Sequence, residues 1–111
     1  MTVETRTGTE VSSEVVACYF GSLINKFFKI LPIREQQCET LDIYIDSLQG
    51  EIVGGKSFIP EFETNEAYLT LLFILEFLLR EHPDVKVVKR EVFRAIGICN
   101  KLKDTYEKGV S

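Results

Sequence analysis

Apolar residues recur at three- and four-residue spacing in separate stretches of the chain. In the first, Val16, Phe20, Leu23, Phe27 and Ile30 form one row, and Val15, Tyr19, Ile24 and Phe28 widen it. That period marks an amphipathic helix with a broad buried face. Ser12 or Ser13 is expected to cap it. Pro32 is expected to stop it near Ile30 or Leu31, because proline disfavours helical geometry in the residue before it. A close helix crossing is one explanation for Gly21 in its interior, where glycine costs about 1 kcal/mol against alanine.

Leu41, Ile45, Leu48 and Ile52 keep the same period, with Ile43 and Tyr44 beside them. They predict a second helix over 41–53, capped by Thr40, favoured by Asp42 in its first turn, and ended by Gly54-Gly55. Residues 54–64 read as a loop or short helical turn in which Phe58 and Ile59 plug one end of the core. Thr64 or Asn65 then caps a third helix over 65–81 that is apolar on almost every side. Its length and leucine content favour helix over strand. A helix with no polar side is either central to its fold or covered by another subunit. His82-Pro83 breaks the chain, and Asp84 caps a fourth helix. There Val85, Val88, Val92, Ala95, Cys99, Leu102 and Tyr106 alternate at three and four residues without a fault.

The predicted fold class is therefore all-α: one four-helix, bundle-like domain over 12–108, orthogonal or up-down. Residues 1–11 hold four threonines, a glycine and no bulky apolar cluster. They are expected to form a flexible arm.

Composition adds bounds. A chain of 111 residues that is 45% hydrophobic suffices for one core and is too short for two ordinary domains. The polar N-terminus has no secretory pattern, and the hydrophobic run 67–79 is too short to span a bilayer. Cysteines at 18, 38 and 99 are odd in number and widely spaced, which argues against a secreted disulfide framework. A cytoplasmic protein without membrane contact is the expectation.

Charge sharpens the picture more than any motif does. The formal net charge of -4 conceals -7 over residues 1–83 and +3 over residues 84–111. Lys86, Lys89, Arg90, Arg94, Lys101 and Lys103 decorate the fourth helix. Together with Phe73 and Phe77 of the third, they form the candidate interaction surface.

No constellation points to catalysis, a metal or a cofactor. His82 suits a helix end, and Cys99 falls on an apolar row. Cys38 is the cysteine expected to be exposed, and Asp42 with Asp46 reads as a solvated face. Glu76 is expected to pair with Arg80 one turn on. Gly50, Gly55, Lys56 and Ser57 match the bare string of a phosphate loop. The strand before it and the long helix after it are missing, so nucleotide binding is not expected.

The segments Asn25-Lys-Phe-Phe-Lys-Ile-Leu-Pro-Ile-Arg-Glu, Glu39-Thr-Leu-Asp-Ile-Tyr-Ile-Asp-Ser-Leu-Gln and Val88-Lys-Arg-Glu-Val-Phe-Arg-Ala-Ile-Gly-Ile-Cys-Asn-Lys-Leu resemble small helical proteins of phages and prophages of Gram-positive bacteria. The resemblance implies a phage-linked structural, assembly or regulatory protein and assigns no residue a role. The expected function is protein–protein interaction or assembly without catalysis or cofactor, with a homodimer favoured. The first alternative is a small nucleic-acid-associated regulator using the basic last helix. The second is a nucleotide-binding or enzymatic protein.

Overall fold

The structure is a computed structural model that describes residues 2–36 and 39–108. Its elements run β1 (Thr2–Glu4), β2 (Glu10–Ser12), α1 (Ser13–Phe28), α2 (Ile30–Glu35), α3 (Leu41–Phe58), a 3-10 turn (Pro60–Thr64), α4 (Glu66–Glu81) and α5 (Val85–Glu107). Four long helices make the body, in the bundle-like arrangement that the apolar periods predict. Helix α1 packs along α5, and α4 lies between α3 and α5.

The caps follow from side-chain chemistry. Ser12, Asn65 and Asp84 accept hydrogen bonds from the amides of Val15, Tyr68 and Val87, each satisfying a donor that the first helical turn leaves open. Helix α1 ends at Phe28, two residues earlier than the spacing suggests, and α2 resumes with Pro32 in its first turn. Pro32 has no amide to give the Phe28 carbonyl, so the first helix breaks there. In a new first turn the missing donor has no consequence. The joined run Ser13–Glu35 is long and apolar enough to cross a membrane by length and composition alone, although its row Val16, Phe20, Leu23, Phe27 and Ile30 is buried in the fold.

Where a flexible arm is the expectation for 1–11, the described residues from Thr2 onward form a β-hairpin, β1 with β2. Val3 faces Val11 in an antiparallel ladder, and Gly8 turns the loop with φ +87°. Val3 and Thr5 are buried, and the Thr5 hydroxyl meets the Thr9 carbonyl at 2.9 Å. Arg6 fastens the hairpin to the end of α3. Its amide donates to the Phe58 carbonyl and its Nε to the Ser57 carbonyl, while its guanidinium pairs with Glu63. A cation on helix-terminal carbonyls is a favourable cap.

Helix α3 also departs from expectation, running through Gly54-Gly55 to Phe58. The reason lies in packing. The Tyr68 hydroxyl donates to the Ile52 carbonyl at 2.6 Å and meets the Tyr19 hydroxyl at 3.3 Å. A Cβ at Gly55 would overlap the Tyr68 oxygen and press on that of Tyr19. Gly55 thus makes room for a tyrosine pair. Gly21 has no such role, since a Cβ there would meet only the stem of Lys103 at 3.5 Å.

The 3-10 turn delivers Phe62 as the plug of the core beside the expected Ile59, which is buried, and in place of Phe58. Phe62 is fully buried and stacks on Tyr68 with centroids 4.4 Å apart, whereas Phe58 is half exposed. Phe20 and Tyr106 complete this aromatic cluster, and the Tyr106 hydroxyl donates to Glu61 at 2.5 Å.

Candidate interaction surface

Helix α4 is nearly enclosed. Tyr68, Leu71, Ile74, Leu75 and Leu78 are buried in the core, and Leu69, Leu72 and Leu79 are half-buried. Its bare side is Phe73, 72% exposed and the most exposed large apolar side chain among the described residues. The apolar surplus of α4 in the sequence is therefore mostly explained by its central position, leaving one uncovered ring.

That ring stands in an open groove of about 390 Å³ between α4 and α5. Thr70, Phe73, Ile74 and Phe77 line one wall, and Arg90, Glu91 and Arg94 line the other. Glu91 is buried, with only 8% of its surface exposed. It accepts from Arg90 Nε at 3.1 Å and from Arg94 Nη1 at 3.0 Å. One buried carboxylate thus holds two exposed guanidinium groups beside two phenylalanine rings. Each guanidinium has five donors, so most remain free for a partner. Arginines and aromatics at the centre of a concave patch are the residue types that dominate binding energy at protein interfaces.

The structure brings together Phe73, Phe77, Arg90 and Arg94 of the sequence-derived candidates. Lys86, Lys89 and Lys101 are exposed on α5 but do not line the groove. Lys103 lies elsewhere, with its stem over Gly21 of α1 and its ammonium 3.3 Å from Glu107. Charge and periodicity do not single out Glu91, although its place three residues after Val88 and four before Ala95 puts it on the inward edge of the helix. A second exposed aromatic contact, Phe28 against Phe93 at 6.0 Å, joins α1 to α5.

The remaining chemistry-bearing residues are placed apart from this groove. His82 takes a left-handed conformation (φ 46°) as the C-cap of α4, and its Nε2 lies 3.0 Å from Asp42 Oδ2 in the first turn of α3. The pair rims a cleft of about 260 Å³ with an apolar floor that includes Ile45, Leu78 and Val88. Both residues are largely exposed, and the geometry is that of a clasp between two helix ends. Glu76 accepts from Gln49 at 3.2 Å, while Arg80 pairs with its neighbour Glu81, so the expected Glu76–Arg80 bridge is not formed. The phosphate-loop string lies wholly inside α3, where its amides belong to the helix.

Among the described residues no group of three or more His, Cys, Asp or Glu is placed to hold a metal ion. Cys18 is exposed and Cys99 is buried, both as free thiols; burial pushes the Cys99 thiol up to about 12. The expectation about Cys38 falls outside the described residues. In comparisons with known proteins, no family model, no curated protein and no solved structure matches this chain.

Proposed function

We propose that the protein is a non-catalytic interaction module whose docking surface is the α4–α5 groove. The observation that carries this reading is Phe73, 72% exposed in a groove whose other wall is two arginines fixed by a buried glutamate. An uncovered ring costs free energy in water, roughly 25 cal/mol per Å² of apolar surface. A partner that covers it removes that cost, and guanidinium groups already held in place lose little further freedom on binding. The resemblance to phage and prophage proteins suggests assembly as the setting for such contacts.

The test is a photoreactive residue at position 73 of the full chain in the cells that make it, with position 14 on the exposed side of α1 as control. The reading predicts a discrete adduct from position 73, lost when Arg90 and Arg94 are replaced by alanine, and none from position 14. Absence of an adduct at 73, or an equal yield at both positions, contradicts it.

One observation favours a second reading. Lys86, Lys89 and Lys101 are exposed on the same helix as Arg90 and Arg94, as a phosphate-contacting helix requires. Salt-dependent binding of DNA or RNA, abolished by Arg90→Glu with Arg94→Glu, supports that reading. Absence of binding at about 50 mM salt removes it.

A further inference from the structure

The outward row of α4 has an internal symmetry. Phe73 sits at the middle of the sixteen-residue helix, with Glu66 seven residues before it and Arg80 seven residues after it. Seven residues are two helical turns, so the three side chains share one stripe, with about 10 Å of helix between neighbours. All three are exposed. Read outward from Phe73, the stripe ends in a carboxylate on one side and a guanidinium on the other.

Such a stripe is self-complementary under a two-fold axis. If a second α4 lies antiparallel with the axis beside Phe73, residue 73+n faces residue 73−n. The two Phe73 rings then cover each other. Glu66 faces Arg80 of the second copy, and Arg80 faces its Glu66. Thr70 and Phe77 lie on the α5 side of the stripe, where both line the groove. Thr70, three residues before Phe73, and Phe77, four after it, are on that same side, so the axis brings Thr70 to within about one residue's rise of Phe77 of the second copy. Antiparallel packing also places opposite ends of the two helix dipoles together. A parallel arrangement would instead put Glu66 on Glu66 and Arg80 on Arg80.

Resting on the interaction-surface reading above, we infer that the partner seated on this face is a second copy of the chain, joined by an isologous antiparallel α4–α4 contact centred on Phe73. Arg90 and Arg94, each bound to Glu91, stand at the rim of that contact.

The experiment is sedimentation equilibrium on the purified full chain and its charge variants, with circular dichroism to confirm that each is folded. The wild type is expected to move from 12.7 kDa to twice that mass as concentration rises. Glu66→Lys and Arg80→Glu each turn two attractive pairs into two repulsive ones. Each is expected to weaken the dimer roughly tenfold. The double variant restores opposite charges across the axis and is expected to return close to wild-type affinity. Phe73→Glu is expected to leave a folded monomer.

A monomer at every concentration overturns the inference. So does a double variant no tighter than either single one, because that denies the register. A monomeric protein that still gives a position-73 adduct of another mass leaves the interaction surface standing while removing the second copy. Failure of both experiments removes the two together.

Discussion

Glu91 and Arg94 are joined across one helical turn at 3.0 Å, with the carboxylate buried and the guanidinium mostly in water. Arg90 shares the same carboxylate at 3.1 Å. The arrangement serves positioning more than stability, because pairs with one exposed partner contribute little to folding, commonly under about 1 kcal/mol. Replacing Glu91 with leucine is therefore expected to leave thermal stability close to wild type or above it, since an apolar side chain suits the buried site. Association through the groove is expected to weaken several-fold once the arginines lose their anchor. Melting temperature and association measured on the same variant separate the two effects. A large loss of stability with unchanged association would contradict this division of roles.

The two glycines at 54 and 55 are expected to respond oppositely to alanine. A Cβ at Gly54 meets nothing within 4 Å, so Gly54→Ala is expected to stabilise the protein by up to about 1 kcal/mol. At Gly55 the new methyl meets Tyr68, whose ring is stacked on Phe62 and whose hydroxyl is bonded to Ile52. Tyr68 cannot swing aside without breaking those contacts, and overpacking of this kind costs about 1–3 kcal/mol. Urea unfolding of both variants checks the contrast, and Tyr68→Phe in the Gly55→Ala background is expected to recover part of the loss.

Alkaline pH is expected to unfold the protein cooperatively. Burial raises the Cys99 thiol from 9.0 to about 12, and the Tyr19 hydroxyl from 10.0 to about 12. It also raises Tyr68 and Tyr106, with Glu61 adding to the effect on Tyr106. In each case the folded state holds its proton more tightly than the unfolded chain does. The associated stability is fully present below about pH 9 and falls as pH rises toward 12. Tyrosinate absorbance should appear together with the loss of helical circular dichroism. Ionisation of all four tyrosines near pH 10 with the helices intact would contradict the packing described.

The N-terminal hairpin gives a further prediction. The amide of Arg6 donates to the Phe58 carbonyl at 2.7 Å, and that of Thr5 donates to the Thr9 carbonyl at 2.8 Å. Both amides are expected to exchange with deuterium far more slowly than an unstructured chain. Arg6→Ala is expected to speed exchange at the end of α3 as well as in the hairpin. Exchange at unstructured rates across 3–11 in the wild type would show that the segment is the loose arm its polarity suggests.

Much of the fold was legible because helix burial follows a fixed period. The row beginning at Val16 is buried as its spacing requires, and so is the α5 row from Val88 onward, while Val85 at its start is exposed. At two places a local signal loses to a distant contact. Gly54-Gly55 resembles a helix stop, but the tyrosines that need Gly55 come from α1 and α4. The hairpin lacks bulky apolar residues and gains its order from Arg6 on α3. Its faint signals were the alternation of Val3 and Thr5 and the turn at Gly8. The surface was legible in part. Phe73, Phe77, Arg90 and Arg94 share one groove because α4 and α5 pack side by side. Net charge per segment had no power to separate Lys103, which packs toward α1, from the lysines exposed elsewhere on α5.

The central claim is that the α4–α5 groove is covered by a partner when the protein works. It is tested most directly by a thiol at position 73. Phe73→Cys, with Cys18 and Cys38 replaced by serine, leaves Cys99 as the remaining native thiol, and that one is buried. Ile43→Cys in the same background is the control, since Ile43 is 67% exposed on α3. Labelling rates are compared between dilute purified protein and intact producing cells. Protection of position 73 in cells, with position 43 equally reactive in both settings, is the predicted result; equal reactivity of position 73 in both would contradict the claim.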